Sequence, residues 1–335
     1  MKYTLLLWPH ANVRYRNETQ KLAEAELAVM LGRIAPGTEI APAECLGIPA
    51  LNLETEGALS EAALSAIRGH SLLYGLFECR EDGALTPAAG REAAYLGEDL
   101  PGILKYKGKT NELFTQLLVN VALYSGSFRD AQEQIRLLDP MCGRATTLFV
   151  GANRGWNCTG VDLDRNDLKE SEQFFKRYLE YHRYKYSAER SSLTAQGRKP
   201  APSVRFAFAD TPEHFKLKQM ASLQLVNADA ASVRELFGAR RFHMIVCDLP
   251  YGVQHASHGG TLEQLLNRVL PGWREALLPG GTVAVSFNAQ TLKADVVRDC
   301  MARAGFEPLA DGPYQHFSHW VEQAVTRDIA VCRRK

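Results

Sequence analysis

Residues 137–147 read LLDPMCGRATT, a stretch that ends a predicted strand and opens a predicted helix. In such a turn, a small residue such as Gly143 lets a ligand approach the backbone, because no side chain intrudes. Ligands bound at turns of this kind are nucleotide-like and lie at the carboxyl ends of parallel strands. The stretch lacks the Gly-Lys-Ser/Thr of a phosphate-binding loop, which disfavours an NTPase.

Strand and helix patterns alternate on both sides of this stretch. The predicted strands are 135–139, 157–162, 223–228, 243–248 and 282–287. The predicted helices are 111–124, 146–153, 167–184, 262–277 and 292–304. Such alternation is typical of a parallel, doubly wound sheet. The tail differs: 306–310 and 324–332 both have strand patterns with no helix between them, as in an antiparallel edge hairpin.

The first hundred residues have a different pattern, which predicts a small α+β domain over 1–100. Its predicted elements are a strand at 3–8, helices at 20–31 and 59–67, and a strand at 71–79. A stretch rich in Gly and Pro, 82–102, is predicted to be the linker to a larger domain over 101–335. An insertion at about 185–220 interrupts the alternation within that larger domain.

Composition indicates a soluble globular protein. Of the 335 residues, 46% are hydrophobic and 23% are charged, and no apolar run approaches the roughly 18 residues that a membrane helix needs. The seven cysteines contain no Cys-x-x-Cys pair, which fits neither a disulfide framework nor a zinc site. We therefore expect a protein of the reducing cytoplasm.

Charge is distributed unevenly along the chain. Residues 1–100 carry a net charge of −6, whereas residues 101–335 carry +7. Residues 165–220 hold 12 Lys and Arg against 7 Asp and Glu, with tyrosines at 178, 181, 184 and 186. A basic segment with interleaved aromatic rings suits contact with nucleic acid. The alternative is a helix with a solvated charged face and tyrosines that pack inward.

Two further segments place carboxylates at predicted strand ends. Asp162, in the stretch GVDLD at 160–164, is positioned to accept two O–H bonds from a ribose diol. Asp164 is an alternative N-cap of the next helix. Asp229, followed by Ala230, can accept from an adenine amino group, or it is an ordinary strand-to-helix cap.

The most specific stretch is IVCDLPYG at 245–252, an apolar strand that runs into a turn. Pro250 fixes its own φ and keeps Leu249 extended, so the Asp248 carboxylate and the Leu249 carbonyl can converge as two acceptors. Tyr251 supplies a flat ring beside them. Two acceptors and a stacking ring are what a planar exocyclic NH₂ group requires.

These motifs resemble class I S-adenosylmethionine-dependent methyltransferases that act on exocyclic amines. Residues 139–147 resemble their cofactor motif, although Ala145 replaces a usual glycine. Residues 248–251 resemble their Asp/Asn-Pro-Pro-Tyr catalytic motif, with Leu249 in place of the first proline. Residues 278–282 resemble the Pro-Gly-Gly turn before the fifth strand, and 109–113 an upstream cofactor segment. The pattern is most similar to tRNA guanine-N2 methyltransferases that carry a THUMP domain.

The resemblance implies a Rossmann-like methyltransferase sheet with its last strand reversed, and a small N-terminal domain of ferredoxin-like or THUMP-like kind. It implies S-adenosylmethionine as cofactor and RNA, with tRNA preferred, as substrate. Within it, Asp162 would hold the ribose, Leu163 would pack on adenine, and Asp229 would hold the adenine amino group. The other implied cofactor contacts are Thr110, Asp139, Met141, Cys142, Gly143 and Ala230. The implied catalytic residues are Asp248, Leu249, Pro250 and Tyr251.

The sequence is compatible with other functions. The same site could methylate adenine N6 in RNA or DNA, or a protein glutamine. A non-catalytic nucleic-acid-binding scaffold and a nicotinamide dehydrogenase also fit the predicted sheet. The pairs His255-x-x-His258 and His316-x-x-His319 have no neighbouring cysteine, so no metal site is expected. We expect no membrane partner, and the sequence leaves the oligomeric state undetermined.

Overall fold

The computed structural model describes residues 1–9, 13–106, 109–194, 200–250 and 260–335, with the backbone alone for 13–17. Its contacts divide the chain into two compact units. The small unit comprises residues 1–93, 288–291 and 310–329. The large unit comprises residues 94–287, 292–309 and 330–335. Over the described ranges, no helix combines the length and apolarity needed to cross a bilayer.

The small unit is built on a five-stranded antiparallel sheet in the order β2-β3-β1-β4-β5. Its elements are β1 (Lys2–Leu7), α1 (Val13–Leu31), β2 (Glu39–Cys45), β3 (Ile48–Glu54), α2 (Glu61–Arg68), β4 (Leu73–Cys79) and β5 (Leu85–Ala89). The first six elements follow the β-α-β-β-α-β order of a split βαβ fold. The unit is thus α+β, as predicted.

Three strands of the small unit were not predicted, namely β2, β3 and β5. Strand β5 lies inside the stretch predicted to be a linker, so that prediction was wrong for 85–89. Both outer strands contain a proline, Pro42 in β2 and Pro87 in β5. Proline is tolerated in edge strands, where its missing N–H breaks no ladder, but its presence hides the strand pattern in the sequence.

From residue 94 onward, each strand of the central parallel sheet is followed by a helix. The helices are α3 (Leu100–Ile103), α4 (Glu112–Ser125), α5 (Thr146–Ala152), α6 (Arg165–Tyr181), α7 (Pro212–Lys216), α8 (Val233–Phe237), α9 (Leu262–Ala276) and α10 (Ala294–Arg303). The strands are β6 (Arg136–Asp139), β7 (Asn157–Asp162), β8 (Lys185–Leu193), β9 (Ala201–Ala209), β10 (Ala221–Asn227), β11 (Phe242–Asp248), β12 (Leu277–Asn288), β13 (Glu307–Leu309), β14 (His319–Glu322) and β15 (Val325–Arg333).

These strands form one sheet in the order β13-β15-β12-β11-β6-β7-β10-β9-β8, with β14 also paired to β15. Strands β10, β7, β6, β11 and β12 pair in parallel. Strand β15 is reversed, because the Gly280 amide donates to the Arg334 carbonyl near one end and the Ala289 amide to the Thr326 carbonyl near the other. This topology confirms the predicted Rossmann-like methyltransferase sheet with a reversed last strand.

The insertion after α6 is a β-hairpin. Strands β8 and β9 pair antiparallel and extend the sheet beyond β10. Helix α6 ends at Tyr181 rather than at the predicted 184, since Arg183 adopts a left-handed backbone with φ +60°. Tyr178 packs inward, whereas Tyr181 is 84% exposed.

The predicted Pro-Gly-Gly turn at 278–282 is instead an irregularity inside β12. Phe242 of β11 pairs with Leu277, but Met244 pairs with Thr282, so β12 holds extra residues at this point. Gly281 is required there, because a Cβ would lie 2.8 Å from the His243 carbonyl oxygen. The bulge sets which residues of β12 lie opposite the end of β11.

Candidate active site

The carboxylates singled out in the sequence lie where the parallel strands end. Asp139 ends β6, Asp162 ends β7 and Asp248 ends β11, while Asp229 follows β10 by two residues. The chain order of the strands reverses between β6 and β11. Open α/β sheets bind ligands in the crevice beside such a reversal, at the carboxyl ends of the strands. This edge of the sheet is therefore the candidate active site.

The turn between β6 and α5, residues 140–145, is held by backbone bonds. The Cys142 amide donates to the Val161 carbonyl on β7 at 3.0 Å, and the Ala145 amide donates to the Cys142 carbonyl at 2.7 Å. Gly143 has a φ of +47°, and a Cβ built on it would meet no atom within 4 Å. The turn thus has open backbone at Gly143, where a ligand can approach closely.

Ala145 stands where the commoner form of the motif has glycine. It keeps the left-handed backbone that glycine favours, with a φ of +66°, and it is fully buried at the start of α5. For an L-residue this conformation costs roughly 1–2 kcal/mol. The replacement therefore adds backbone strain to the turn without removing its left-handed step.

Asp139 is a deeply buried carboxyl, only 2% exposed. Its Oδ1 accepts a bond from the Met141 amide at 3.1 Å, and the Thr147 hydroxyl also donates to it. Burial, followed by the negative charges of Asp162 and Asp248, raises the pKa of Asp139 from 3.8 to about 7. Near neutral pH, this carboxyl is thus divided between its charged and neutral forms.

Asp162 connects the end of β7 to the turn. Its Oδ2 accepts from the Gly143 amide at 2.7 Å, and its Oδ1 accepts from the Asp164 amide at 2.8 Å. Burial raises its pKa above the ordinary value. Asp164 caps α6 by accepting from the amides of Asn166 and Asp167, so the capping interpretation of Asp164 is correct. Leu163, between the two carboxylates, is half exposed.

Asp229 has the geometry of a cap together with an ion pair. Its Oδ1 accepts from the Ala231 amide at 2.9 Å, and its Oδ2 pairs with the Arg268 guanidinium at 3.0 Å. Ala230 is buried, and its carbonyl accepts from the Trp273 indole N–H at 3.0 Å. The ordinary cap named as an alternative is therefore present, and an adenine amino group would have to share Asp229 with Arg268.

Asp248 has hydroxyl donors on both carboxylate oxygens. The Ser286 hydroxyl donates to Oδ1 at 2.6 Å, and the Thr110 hydroxyl donates to Oδ2. Leu249 is buried, and its amide donates to the Ser286 carbonyl at 2.9 Å, which continues the strand pairing past Asp248. Pro250 is partly buried, and Tyr251 lies outside the described residues. Thr110, expected at the cofactor, thus contacts the predicted catalytic carboxylate.

Sequence reasoning missed several residues at this edge. Tyr106 lies over the Arg144 guanidinium at 4.6 Å, and its hydroxyl lies 3.4 Å from that of Thr146. Burial raises the pKa of Tyr106, so it remains a neutral phenol. Ser286 was missed because its partner depends on strand register. A signal for Tyr106 did exist, since it stands four residues before Thr110 in the upstream segment.

The thiols at this edge are not nucleophiles. Burial raises the pKa of Cys142 and of Cys247 well above the ordinary value, so both remain protonated. The described ranges contain no group of three His, Cys, Asp or Glu side chains placed to hold a metal ion. His255 and His258 lie outside those ranges.

A scan with protein-family models gives no match, and a search of curated proteins gives none either. Solved structures do match. The rRNA methyltransferase AviRa from Streptomyces viridochromogenes is 16% identical, with 73% of this chain and 96% of that chain covered and a TM-score of 0.40. The magnesium protoporphyrin IX methyltransferase from Synechocystis PCC 6803, solved with bound S-adenosylmethionine, is 13% identical, with 69% and 87% covered and a TM-score of 0.40. The N-methyltransferase NodS from Bradyrhizobium japonicum WM9 is 14% identical, with 66% and 94% covered and a TM-score of 0.38. Likenesses of this size identify neither a substrate nor a cofactor for this chain.

Proposed function

We propose that this chain is an S-adenosylmethionine-dependent methyltransferase that acts on an exocyclic amino group of an RNA base, with guanine N2 in tRNA as the preferred target. The observation that carries the proposal is the pair of hydroxyl bonds that hold both oxygens of Asp248 at the end of β11. A carboxylate fixed in this way offers acceptors to the crevice. An exocyclic NH₂ has two N–H donors and matches such acceptors.

The described residues fit the cofactor. Open backbone at Gly143 gives room for the methionine part, which the turn from Asp139 through Met141 and Cys142 would face. Asp162 keeps acceptor capacity for the ribose hydroxyls, and half-exposed Leu163 offers an apolar surface to adenine. Asp229 would hold the adenine amino group, and Ala230, the next residue, would also contact the cofactor. When bound, the cofactor supplies a methyl group already activated on a sulfonium.

The chain then has to position the amine and place charge. Asp248 and the Leu249 carbonyl would each accept one N–H bond, which aims the nitrogen at the methyl group. The negative charge of Asp248 would stabilise the positive charge that develops on nitrogen. Its carboxylate is also the base within reach of the proton that nitrogen then releases. Tyr251, outside the described residues, would stack on the base.

The charge of the larger part of the sequence supports a nucleic-acid substrate. Tyr181 at the end of α6 and the nearby Arg183 and Lys185 are exposed. They lie at the end of the sheet opposite Asp248, because Lys185 pairs with Ala209 next to the start of β10, so they would contact RNA away from the target base. The sequence from 101 to 335 also carries a net charge of +7. Exposed aromatic rings among cations are typical of surfaces that bind unpaired bases and phosphates. A base within a duplex would have to be flipped out, at a cost of a few kcal/mol.

The direct test is methyl transfer from radiolabelled S-adenosylmethionine to total tRNA, rRNA, DNA and protein extract in parallel. Asp248→Ala is the blank, and Asp130→Ala is the matched control, because Asp130 is an exposed carboxylate outside the site. We expect label in tRNA with the wild-type and Asp130→Ala proteins and none with Asp248→Ala. Asp248→Ala should still bind the cofactor within a few-fold of wild type.

The other outcomes point to specific alternatives. Label in DNA or protein would replace the substrate and keep the chemistry at Asp248. Absence of both transfer and cofactor binding would contradict the proposal and favour a scaffold. NADH fluorescence retained by the purified protein would favour a dehydrogenase instead.

A further inference from the structure

Ser286 lies directly opposite Asp248 in the parallel pairing of β11 and β12. Its hydroxyl donates to Asp248 Oδ1 at 2.6 Å, and the residue is fully buried. Ala284, which shares its face of β12, is also fully buried. A buried hydroxyl needs a hydrogen-bond partner, and here that partner is the carboxylate. The bond from the Ser286 hydroxyl on β12 therefore fixes the direction of the Asp248 carboxylate.

The backbone of Ser286 anchors Leu249, the residue that carries the second acceptor. Its carbonyl accepts from the Leu249 amide at 2.9 Å, one residue past the end of β11. Pro250 independently restricts Leu249 to extended geometry. The bond anchors the Asp248–Leu249 peptide to β12, and the Leu249 carbonyl, which belongs to the next peptide, is directed by the extended geometry that Pro250 imposes.

We propose that Ser286 is a positioning residue whose hydroxyl fixes the Asp248 carboxylate, one of the two amine acceptors. This inference rests on the proposed function, since it assigns Asp248 to the target NH₂. The Thr110 hydroxyl holds the other carboxylate oxygen, but Thr110 precedes α4 and lies outside the sheet. Ser286, in contrast, lies on β12, the strand paired in parallel with the strand that carries Asp248. Preorganised acceptors need no rearrangement when charge develops on the nitrogen.

The test compares the full chain with its Ser286→Ala and Ser286→Thr variants. Ser222→Ala is the matched control, because Ser222 is also buried and hydrogen-bonded, at 2.7 Å to Asn157, but stands at the opposite end of the sheet on β10. The readouts are kcat and KM for the RNA that the wild-type protein labels, and the cofactor Kd by calorimetry. Thermal unfolding establishes that each variant is folded.

We expect Ser286→Ala to lower kcat by roughly 10- to 100-fold, because a misdirected acceptor costs orientation in the transition state. KM and the cofactor Kd should stay within about three-fold of wild type, since Ser286 touches neither ligand. Ser286→Thr keeps the hydroxyl and should retain at least about a third of the wild-type kcat. Ser222→Ala should leave all three constants unchanged. If Ser286→Ala does not fold, Ser286→Cys replaces it, because a thiol keeps an atom in the place of the hydroxyl but is a weak donor.

Two outcomes would overturn the inference. One is a Ser286→Ala protein whose kcat is within two-fold of wild type while Asp248→Ala is inactive. The other is an equal loss in Ser286→Ala and Ser286→Thr, which would trace the effect to packing instead of the hydroxyl. Failure of the proposed function gives a different result, because the wild-type protein itself would then label no RNA.

Discussion

Asp162 and Asp248 are the same residue type at two strand ends, yet their partners separate their roles. Asp162 accepts from two backbone amides, one of them in the turn at Gly143. Asp248 accepts from two side-chain hydroxyls on other elements. The first arrangement joins a carboxylate to the loop that would hold the cofactor, and the second aims a carboxylate into the crevice. We therefore expect substitutions at these positions to separate binding from methyl transfer.

Asp162→Ala should weaken cofactor binding by about 1.5–3 kcal/mol, because charge-assisted bonds to the ribose hydroxyls are lost. Calorimetric titration with S-adenosylmethionine measures this directly. Asp162→Asn keeps an acceptor for the Gly143 amide, so it separates the loss of charge from a disturbed turn. An Asp162→Ala protein that binds with wild-type affinity would remove Asp162 from the ribose role.

Asp139 predicts a pH dependence of stability. Its pKa is about 7 in the folded protein against an ordinary 3.8, so the folded state holds this proton more tightly than the unfolded state does. The stability of the wild type relative to Asp139→Asn should therefore fall as the pH rises from about 4 to about 7, by on the order of a few kcal/mol. Urea unfolding of both proteins at pH 5 and pH 8 measures the difference. Asp130→Asn, at an exposed carboxylate, is the control. A difference that is equal at both pH values would contradict the expectation.

The strand-end carboxylates could be predicted from the sequence because each follows an apolar run directly. Ser286 could not, since its position opposite Asp248 depends on the bulge in β12. The pairing of Arg268 with Asp229 was missed for a similar reason. It depends on how α9 packs against the segment that follows β10. Contacts set by register or helix packing involve residues far apart in the chain.

At the scale of elements, the turn after β6 depends on its packing against β7. Gly160 on β7 faces this turn, and a Cβ there would lie 2.5 Å from Leu148 Cδ1 and 2.7 Å from the Cys142 sulfur. Neither neighbour can withdraw easily, because Leu148 and Cys142 are both buried. The close contact between strand and turn therefore requires glycine at this position.

Gly160→Ala should lower the free energy of unfolding by about 1–3 kcal/mol, the usual cost of overpacking a core. It should also weaken cofactor binding, since Cys142 belongs to the turn. Chemical unfolding and calorimetry check the two effects. Gly90→Ala is the control, because a Cβ at Gly90 meets no atom within 4 Å. Wild-type stability in Gly160→Ala would show that the turn can move without cost.

Elements differed in how well the sequence predicted them. Strand β11, FHMIVCD, is buried on both faces and appears as an almost continuous apolar run. Strand β7 occupies the predicted residues 157–162, although only part of it is apolar. The outer antiparallel strands lack such runs. Strand β8, for example, is largely exposed and rich in serine and charge, so only the structure reveals it. The end of α6 was misplaced because no sequence signal marks the left-handed Arg183.

At the scale of the molecule, the small unit is assembled from distant parts of the sequence. It combines residues 1–93 with 310–329, and within the second segment Phe317 and Ile329 are fully or almost fully buried. A fragment spanning 94–335 lacks most of the small unit, so it should expose these side chains. We expect it to aggregate or to unfold at a lower temperature than the full chain, because exposed apolar surface favours association. A fragment as stable and monomeric as the full chain, by light scattering and thermal unfolding, would contradict this.

The central claim is that the crevice at Asp248 methylates an exocyclic amine, and the identity of the methylated nucleoside tests it most directly. RNA labelled by the wild-type protein would be digested to nucleosides, and the product identified by mass spectrometry against standards. We expect a nucleoside methylated on an exocyclic amine, with N2-methylguanosine as the preferred product, because Asp248 and the Leu249 carbonyl are acceptors and require a group with N–H donors. A methyl group on a ribose oxygen, a base carbon or a ring nitrogen without hydrogen would contradict it, since none of these presents two donors to the pair.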